Sequence, residues 1–445
     1  MYTWLLILIV YLPFQIALNP STNFDLASLR VFIVLFFIIW LVRNLIPIID
    51  QENQLPIKER LVDCFKFCYK LGFKNLQSIS LSFFLILITF SLIGAGNVFW
   101  GVRKIIFFLS IFPLYYLTVS LINNKNKVEK VIKGLIISGV VMALIGLVQF
   151  LAQFIFSLEG VYVFWTWNIV PVFSGFNFGA LILNYPSWLV NVEGQTILRA
   201  FSVFSDPHMF SFYLGLILPL ALVLLVIKKK KLFLFLVPCF LFLVFLLTFT
   251  RGAYFALIIA FLVMAGLFWR YLKLKKLAFL IGLSLLIFII PGTPFADRFY
   301  SSFNMTDGSN VGRLEMWQQA SQTGLRNPWQ GVGLGNYSLL VDADLGYRNP
   351  VSAHNLYLDL FSESGIFTLI IWLVLIWGTI WQMFLKISSV KIKGAFKDRA
   401  LIRVGLIGSL FYFLAHSFFE TAIYNPAILA VLMVVLGIAS VLRSA

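Results

Sequence analysis

A histidine stands at the mouth of a long apolar run. His354 lies in SAHNLYLDLFSESG, Ser352 to Gly365, beside two acids, and the chain holds only three histidines in 445 residues. An imidazole with an unperturbed pKa of about 6.5 can take a proton from a hydroxyl near neutral pH. At a membrane boundary it can equally be a capping or interfacial group. Arg251, in LLTFTRGAYFALII, interrupts apolar sequence between two spans joined by almost no loop. Thr248 and Thr250 precede it and Gly252 follows, so the backbone can turn closely while hydroxyls and guanidinium share one pocket. Its plainer role is an arginine snorkelling to the interface. Arg313, in DGSNVGRLEMWQQASQT, precedes Trp317 by one helical turn on a short helix that Ser309 or Asn310 would cap. A guanidinium fork can hold phosphate oxygens bidentately and keeps its charge when partly desolvated.

Other polar residues carry weaker signals. Asp206-Pro207 opens an apolar helix whose N-terminus can attract an anion, although a simple N-cap accounts for Asp206 and an interfacial site for His208. His416 and Glu420, one helical turn apart, would pair as a buried couple or serve a transporter as a proton site. Asp342 and Asp344 form a D-x-D with no third placed ligand, so solvated loop acids are expected there rather than a metal site. NPWQGVGLGNY, Asn327 to Tyr337, follows no strand and reads as a Gly-rich turn, not a dinucleotide fingerprint.

The elements that must position these groups are membrane helices. The chain is 61% hydrophobic and 12% charged, and apolar runs recur near the bilayer-spanning length of about 20 residues. About twelve spans are expected, at roughly 3–18, 29–48, 78–97, 104–122, 132–157, 207–227, 232–249, 252–270, 277–291, 357–385, 402–420 and 427–442. The class is all-α and polytopic, with the whole chain, 1–445, as a single integral membrane domain. The first run lacks a basic n-region and a cleavage site, so it reads as a retained span. With both termini cytoplasmic, inner loops hold 25 of the 34 Lys and Arg, as the positive-inside rule requires. The net charge of +16 therefore reports topology and not nucleic-acid binding. The nine outer cations are almost all arginine, which points to an anionic ligand on that side.

Two outer segments are long enough to build a site, at about 157–206 and 291–353, the second lying between spans nine and ten. On the inner side, IKERLVDCFKFCYKLGFKNLQ has the spacing of an interfacial helix on anionic lipid. None of the three cysteines is placed to staple an outer loop.

TFTRG at a span junction, GRLEMW and NPWQGVGLGNY in a large outer loop, and AHNLYLDLFSESG at its end together resemble the O-antigen ligase and polymerase family of bacterial membrane proteins, over about residues 195–385. The resemblance implies a GT-C-like fold in the bacterial cytoplasmic membrane with an extracytoplasmic active site. It also implies transfer of a glycan from undecaprenyl diphosphate to a hydroxyl-bearing glycan or glycolipid acceptor, with no cofactor. The family's histidine motif is matched by His354, Asn355 and Gly365, while its second glycine is Thr368 here, which bears on how closely helices pack at that turn.

The family's two essential arginines fall on Arg251 and Arg313. Because a sugar on diphosphate already carries a good leaving group, the protein must activate the acceptor and stabilise charge on the phosphates. The implied roles are His354 as general base and Arg251 and Arg313 as a diphosphate clamp, with inversion at the anomeric carbon and no metal. His354 as a phosphate-orienting group is the other role open to it. Further substrate-binding groups are expected at Arg199, Asp206, His208 and Thr250, and at Trp317, Asn336, Arg348 and Asn355. A polymerase shares this donor chemistry and differs in acceptor. A lipid-linked glycan flippase or a non-enzymatic assembly partner would be of another class.

Overall fold

The computed structural model describes residues 1–21, 24–50, 74–175, 186–228, 232–304, 306, 308–342, 351–388 and 395–443. Its principal helices are α1 (Tyr2–Tyr11), α2 (Ser28–Asp50), α3 (Leu76–Phe90), α4 (Val98–Ile111), α5 (Pro113–Leu121), α6 (Lys125–Phe156) and α7 (Pro207–Lys228). They continue as α8 (Leu232–Leu246), α9 (Arg251–Arg270), α10 (Lys275–Leu285), α11 (Gly308–Arg326), α12 (Leu356–Ser388), α13 (Ala395–His416) and α14 (Pro426–Arg443). Among the described residues nine helical stretches are long and apolar enough to cross a membrane: α2, α3, α4 continued by α5, α6, α7, α9, α12, α13 and α14. The other expected spans fold as the shorter helices α1, α8 and α10. The chain is thus an all-α polytopic membrane protein. The amphipathic inner segment falls largely outside the described residues.

Burial separates the bundle into centre and rim. In α7, α13 and α14 between 78% and 89% of the spanning window is buried, against 22% in α2. The two central helices that deliver the site, α7 and α13, are joined by side-chain-to-backbone bonds in the apolar layer: Ser409 Oγ donates to the Leu216 carbonyl at 2.7 Å and Tyr412 Oη to the Ser211 carbonyl at 2.8 Å. Such bonds satisfy hydroxyls that hydrocarbon cannot.

The two segments expected on the outer side carry regular structure among their described residues. Leu189–Val192 pairs with Gln195–Leu198 as an antiparallel hairpin across Glu193 and Gly194, whose φ values of 51° and 84° make the primed turn that two-residue hairpins prefer. In the second segment α11 is 19 residues long and begins at Gly308, so neither Ser309 nor Asn310 caps it. Asn310 instead donates to the carbonyls of Ser301, Ser302 and Asn304, tying α11 to the turn before it.

Gly365 breaks α12 into two helical pieces, with φ 79° and ψ 176°. A β-carbon there would lie 2.2 Å from the Trp329 carbonyl oxygen, and one on Gly331 would lie 2.3 Å from the Glu363 carbonyl carbon. The Gly-rich turn and the kink therefore interlock backbone to backbone, with Val332 N–H donating to the Ser362 carbonyl at 2.9 Å and Ile366 N–H to that of Pro328 at 2.8 Å. Thr368, at the second family glycine, is buried and returns its hydroxyl to the Ser364 carbonyl at 2.8 Å, so a side chain is accommodated at that turn. Gly365→Ala is expected to cost at least about 1–3 kcal/mol, because this backbone region is essentially reserved for glycine. A thermal unfolding scan of the detergent-purified variant checks it; an unchanged midpoint would contradict the interlock.

Candidate active site

Arg251 is set by the turn between α8 and α9. The chain leaves α8 through Phe249, at φ 47°, and re-enters the apolar layer at Arg251, the first residue of α9. Arg199 holds this turn from beneath: its Nε donates to the Thr248 carbonyl at 2.7 Å, Nη2 to Thr250 Oγ1 at 2.8 Å and Nη1 to the Ser187 carbonyl at 2.8 Å. Burial, with the nearby Arg298 charge, pushes the Arg199 guanidinium down to about 9, which leaves it charged at neutral pH. In this geometry Arg199 and Thr250 position Arg251 through the backbone. Arg251 itself is buried and donates to the Ser301 carbonyl at 3.1 Å.

Arg251 and Arg313 line one cavity of about 250 Å³, with Ser302, Asn310, Trp317 and Phe419 among its walls. Two donors of that wall, Ser302 Oγ and Trp317 Nε1, are buried with no hydrogen-bond partner among the described residues. Two guanidiniums and further N–H and O–H donors around one apolar-walled space form an environment for an anion with several oxygens. Gly252 closes the cavity: a β-carbon there would lie 2.6 Å from Phe419 Cβ, so α9 packs directly on the segment that follows α13.

That segment places the histidine. Phe419 lines the arginine cavity, and the next residue, Glu420, meets His354 Nδ1 with both carboxylate oxygens at 3.2 Å. Consecutive Cα atoms are about 3.8 Å apart, so the cavity wall and the imidazole's partner are neighbours in the chain. The Arg313 charge is felt at both His354 and Glu420. His354 adopts φ 47°, a left-handed conformation in which histidine is several-fold enriched. Asp359 fixes its neighbours by accepting from Ala353 N–H at 2.8 Å with Oδ1 and from the Thr421 hydroxyl with Oδ2.

The His354 side chain is 43% exposed, whereas that of Glu420 is 10% exposed. Glu420 raises the His354 pKa above its ordinary value, with burial and Arg313 acting against it. Burial would push the Glu420 carboxyl up, but His354, His208 and Arg313 outweigh it and hold the group well below the carboxylate range. A carboxylate only accepts, so Nδ1 of His354 carries the hydrogen and the Nε2 lone pair is left for another proton.

His208 approaches the same carboxylate, its Nδ1 lying 3.9 Å from Glu420 Oε2. Asp206 caps α7, accepting from Met209 N–H at 2.9 Å and from Ser205 Oγ at 2.7 Å, and burial together with Glu420 pushes its carboxyl up. Asn355 caps α12 through the N–H groups of Tyr357 and Leu358, and Asn336 ties the Gly-rich turn to the start of α4 through Asn97. Arg348 and Asp344 lie outside the described residues. The expected His416–Glu420 couple does not form. His416 bonds Tyr412 Oη at 3.0 Å and stacks on Phe212 with ring centres 4.2 Å apart, because α13 ends at His416 and the chain turns away before Glu420. The two acids following His354 are structural: Asp359 is the clamp described above, and Glu363 pairs with Lys104 at 3.0 Å.

Fold and site define a multi-span membrane protein that gathers two arginines lining one cavity and a carboxylate-paired histidine beside it at one end of its bundle. Residues 236–373 match the family model described as O-antigen ligase. The match includes Arg251, Arg313 and His354 and ends before Glu420. No curated protein matches the chain.

Proposed function

We propose that the protein is a ligase-type glycosyltransferase that moves a glycan from undecaprenyl diphosphate to an acceptor hydroxyl on the outer face of the bacterial cytoplasmic membrane, with both termini cytoplasmic. The observation that carries this reading is that Arg251 and Arg313 share a cavity whose wall continues, at the next residue, into the carboxylate partner of His354. The diphosphate sits between the two guanidiniums, where charge-assisted bonds are strongest. Nε2 of His354 takes the acceptor proton while the acceptor oxygen bonds to the anomeric carbon. The sugar–phosphate bond breaks from the opposite side, inverting the configuration, and its electron pair passes to the diphosphate oxygen held by the arginines. Glu420 keeps the tautomer that makes this transfer productive, as an orienting acid does beside a catalytic histidine.

Detergent-purified protein, given undecaprenyl diphosphate glycan and a hydroxyl acceptor, should release undecaprenyl diphosphate and form the glycosylated acceptor. A protein that only translocates its lipid would leave the donor intact. A polymerase would use a second lipid-linked glycan as acceptor and give products that lengthen by repeats.

Glu420 supplies a pH signature. Histidine acts as base only when neutral, so activity in the native protein rises with pH through the raised His354 pKa. Glu420→Gln removes the charge that raises it, so the midpoint of the acid limb should move to lower pH. The maximal rate should fall on the order of 10²-fold as orientation is lost. An acid limb that does not move would separate Glu420 from the base.

A further inference from the structure

Glu420 sits where no helix holds it. α13 ends at His416, α14 begins at Pro426, and between them the chain makes the short 3-10 turn Ala422–Tyr424. His354 is placed in the same way on the facing segment, two residues ahead of α12. Outside a helix there is no repeating ladder of backbone bonds to fix the direction of a side chain, so other bonds must do it.

One carboxylate joins the two segments. Asp359, in the first turn of α12, accepts from Ala353 N–H at 2.8 Å with Oδ1 and from the Thr421 hydroxyl with Oδ2. Ala353 precedes His354, and Thr421 follows Glu420. Thr421 also donates its N–H at 3.1 Å to Glu420 Oε1, an oxygen that meets His354 Nδ1 at 3.2 Å. The contacts therefore close a ring, from Asp359 through Thr421, Glu420, His354 and Ala353 back to Asp359. Asp359 and Thr421 are buried, so water competes little for these bonds.

A second tie lies one turn further along α12. Glu363 Oε2 accepts from the Tyr424 hydroxyl at 3.1 Å. Lys104 of α4 meets both Glu363 oxygens at 3.0 Å and lies 4.0 Å from the centre of the Tyr424 ring. Asp359 and Glu363, four apart and so on one face of their helix, thus grip the Glu420 segment at its next residue and at its fourth.

We propose that Asp359 and Thr421 are positioning residues that hold the Glu420 carboxylate against His354, with Glu363 and Tyr424 as the outer support of the same segment. The role goes beyond holding the fold, because misplacement of a catalytic group by about 1 Å can cost about 10²-fold in rate. The charged groups acting on His354 are Glu420 and Asp359, which raise its pKa, and Arg313, which lowers it, with His208 also close to Glu420. Thr421→Val keeps all of them and the side-chain shape, and removes only the hydroxyl. Asp359→Asn is a poorer probe, since it deletes a charge that itself acts on His354.

Full-length protein carrying ring-¹³C histidine, in detergent, is titrated with acid and followed by NMR. The chain has three histidines, and the His354 signal is the one missing in His354→Ala. In Thr421→Val the His354 midpoint should fall by about half a pH unit or more, part of the 1–3 units that a close opposite charge confers. Thr421→Ser, which restores the hydroxyl, should restore the native midpoint. Tyr424→Phe should shift it less and in the same direction, and it decides the matter if Thr421→Val does not fold. Glycan transfer by Thr421→Val should show kcat lowered about tenfold with the donor KM unchanged. The kinetic arm rests on the transfer reading, whereas the titration does not: a protein without transfer that still shows the shift would contradict that reading and keep the ring. A lower unfolding temperature with an unmoved His354 midpoint, or a shift that Thr421→Ser leaves in place, would overturn the positioning role.

Discussion

His354→Ala is expected to lower glycan transfer by about 10³-fold, within the 10²–10⁴-fold that a positioned general base supplies. The loss should fall on turnover and spare donor affinity, because the imidazole reaches the diphosphate only through the acceptor. His354→Gln tests the same point more gently, since it keeps a polar side chain and loses the proton-accepting nitrogen pair. A phosphate-orienting histidine would behave differently: Gln would restore much of the rate, and Ala would weaken donor binding together with turnover. Backbone strain at φ 47° does not confuse the comparison, since both variants meet the same conformation. Rates measured across pH would show the native acid limb missing in Ala, where no group near neutrality controls the acceptor.

Arg313→Ala and Arg251→Ala should each lower kcat/KM by about 10²–10³-fold, as loss of one preorganised charge at a developing oxyanion does. Their effects should differ in kind. Arg313 stands on the face of α11 with Asn310 and Trp317 as fellow wall residues, so its loss should leave folding intact. Arg251 is buried and bonded to the Ser301 carbonyl, so alanine there should also lower thermal stability, and lysine should rescue charge without the bidentate fork. The double variant should fall well short of the product of the single losses, because both guanidiniums act on one diphosphate. A double variant with native donor affinity would remove the diphosphate from this cavity.

Much of this arrangement was legible in the amino-acid order, for identifiable reasons. Apolar runs of bilayer length can only be helices in lipid, so the spans announce themselves, and an arginine between two such runs marks a helix end. The shorter α8 and α10 were harder, because hydrophobicity reports where a run ends and not where its helix frays. Glu420 was assigned the wrong histidine. Spacing of four implies a shared face only while the helix continues, and α13 stops at His416. What brings Glu420 to His354 is a contact between residues 66 positions apart, which no local period encodes.

Arg199 shows the converse error of emphasis. An excess of outer arginine suggested anion ligands, yet a planar fork suits backbone carbonyls equally well, and Arg199 spends its donors on the turn that aims Arg251. Asn336 and Asn355 likewise serve backbone groups. The hairpin around Glu193-Gly194 was readable in retrospect from its turn residues between apolar pairs, but four-residue strands are too short for alternation to stand out.

The most direct measurement is a structure of the protein with undecaprenyl diphosphate bound. The diphosphate should lie between the Arg251 and Arg313 guanidiniums, with His354 Nε2 facing the side from which an acceptor would approach and Nδ1 still on Glu420. Diphosphate held elsewhere, or held by the two arginines with His354 turned away from it, would contradict the transfer site.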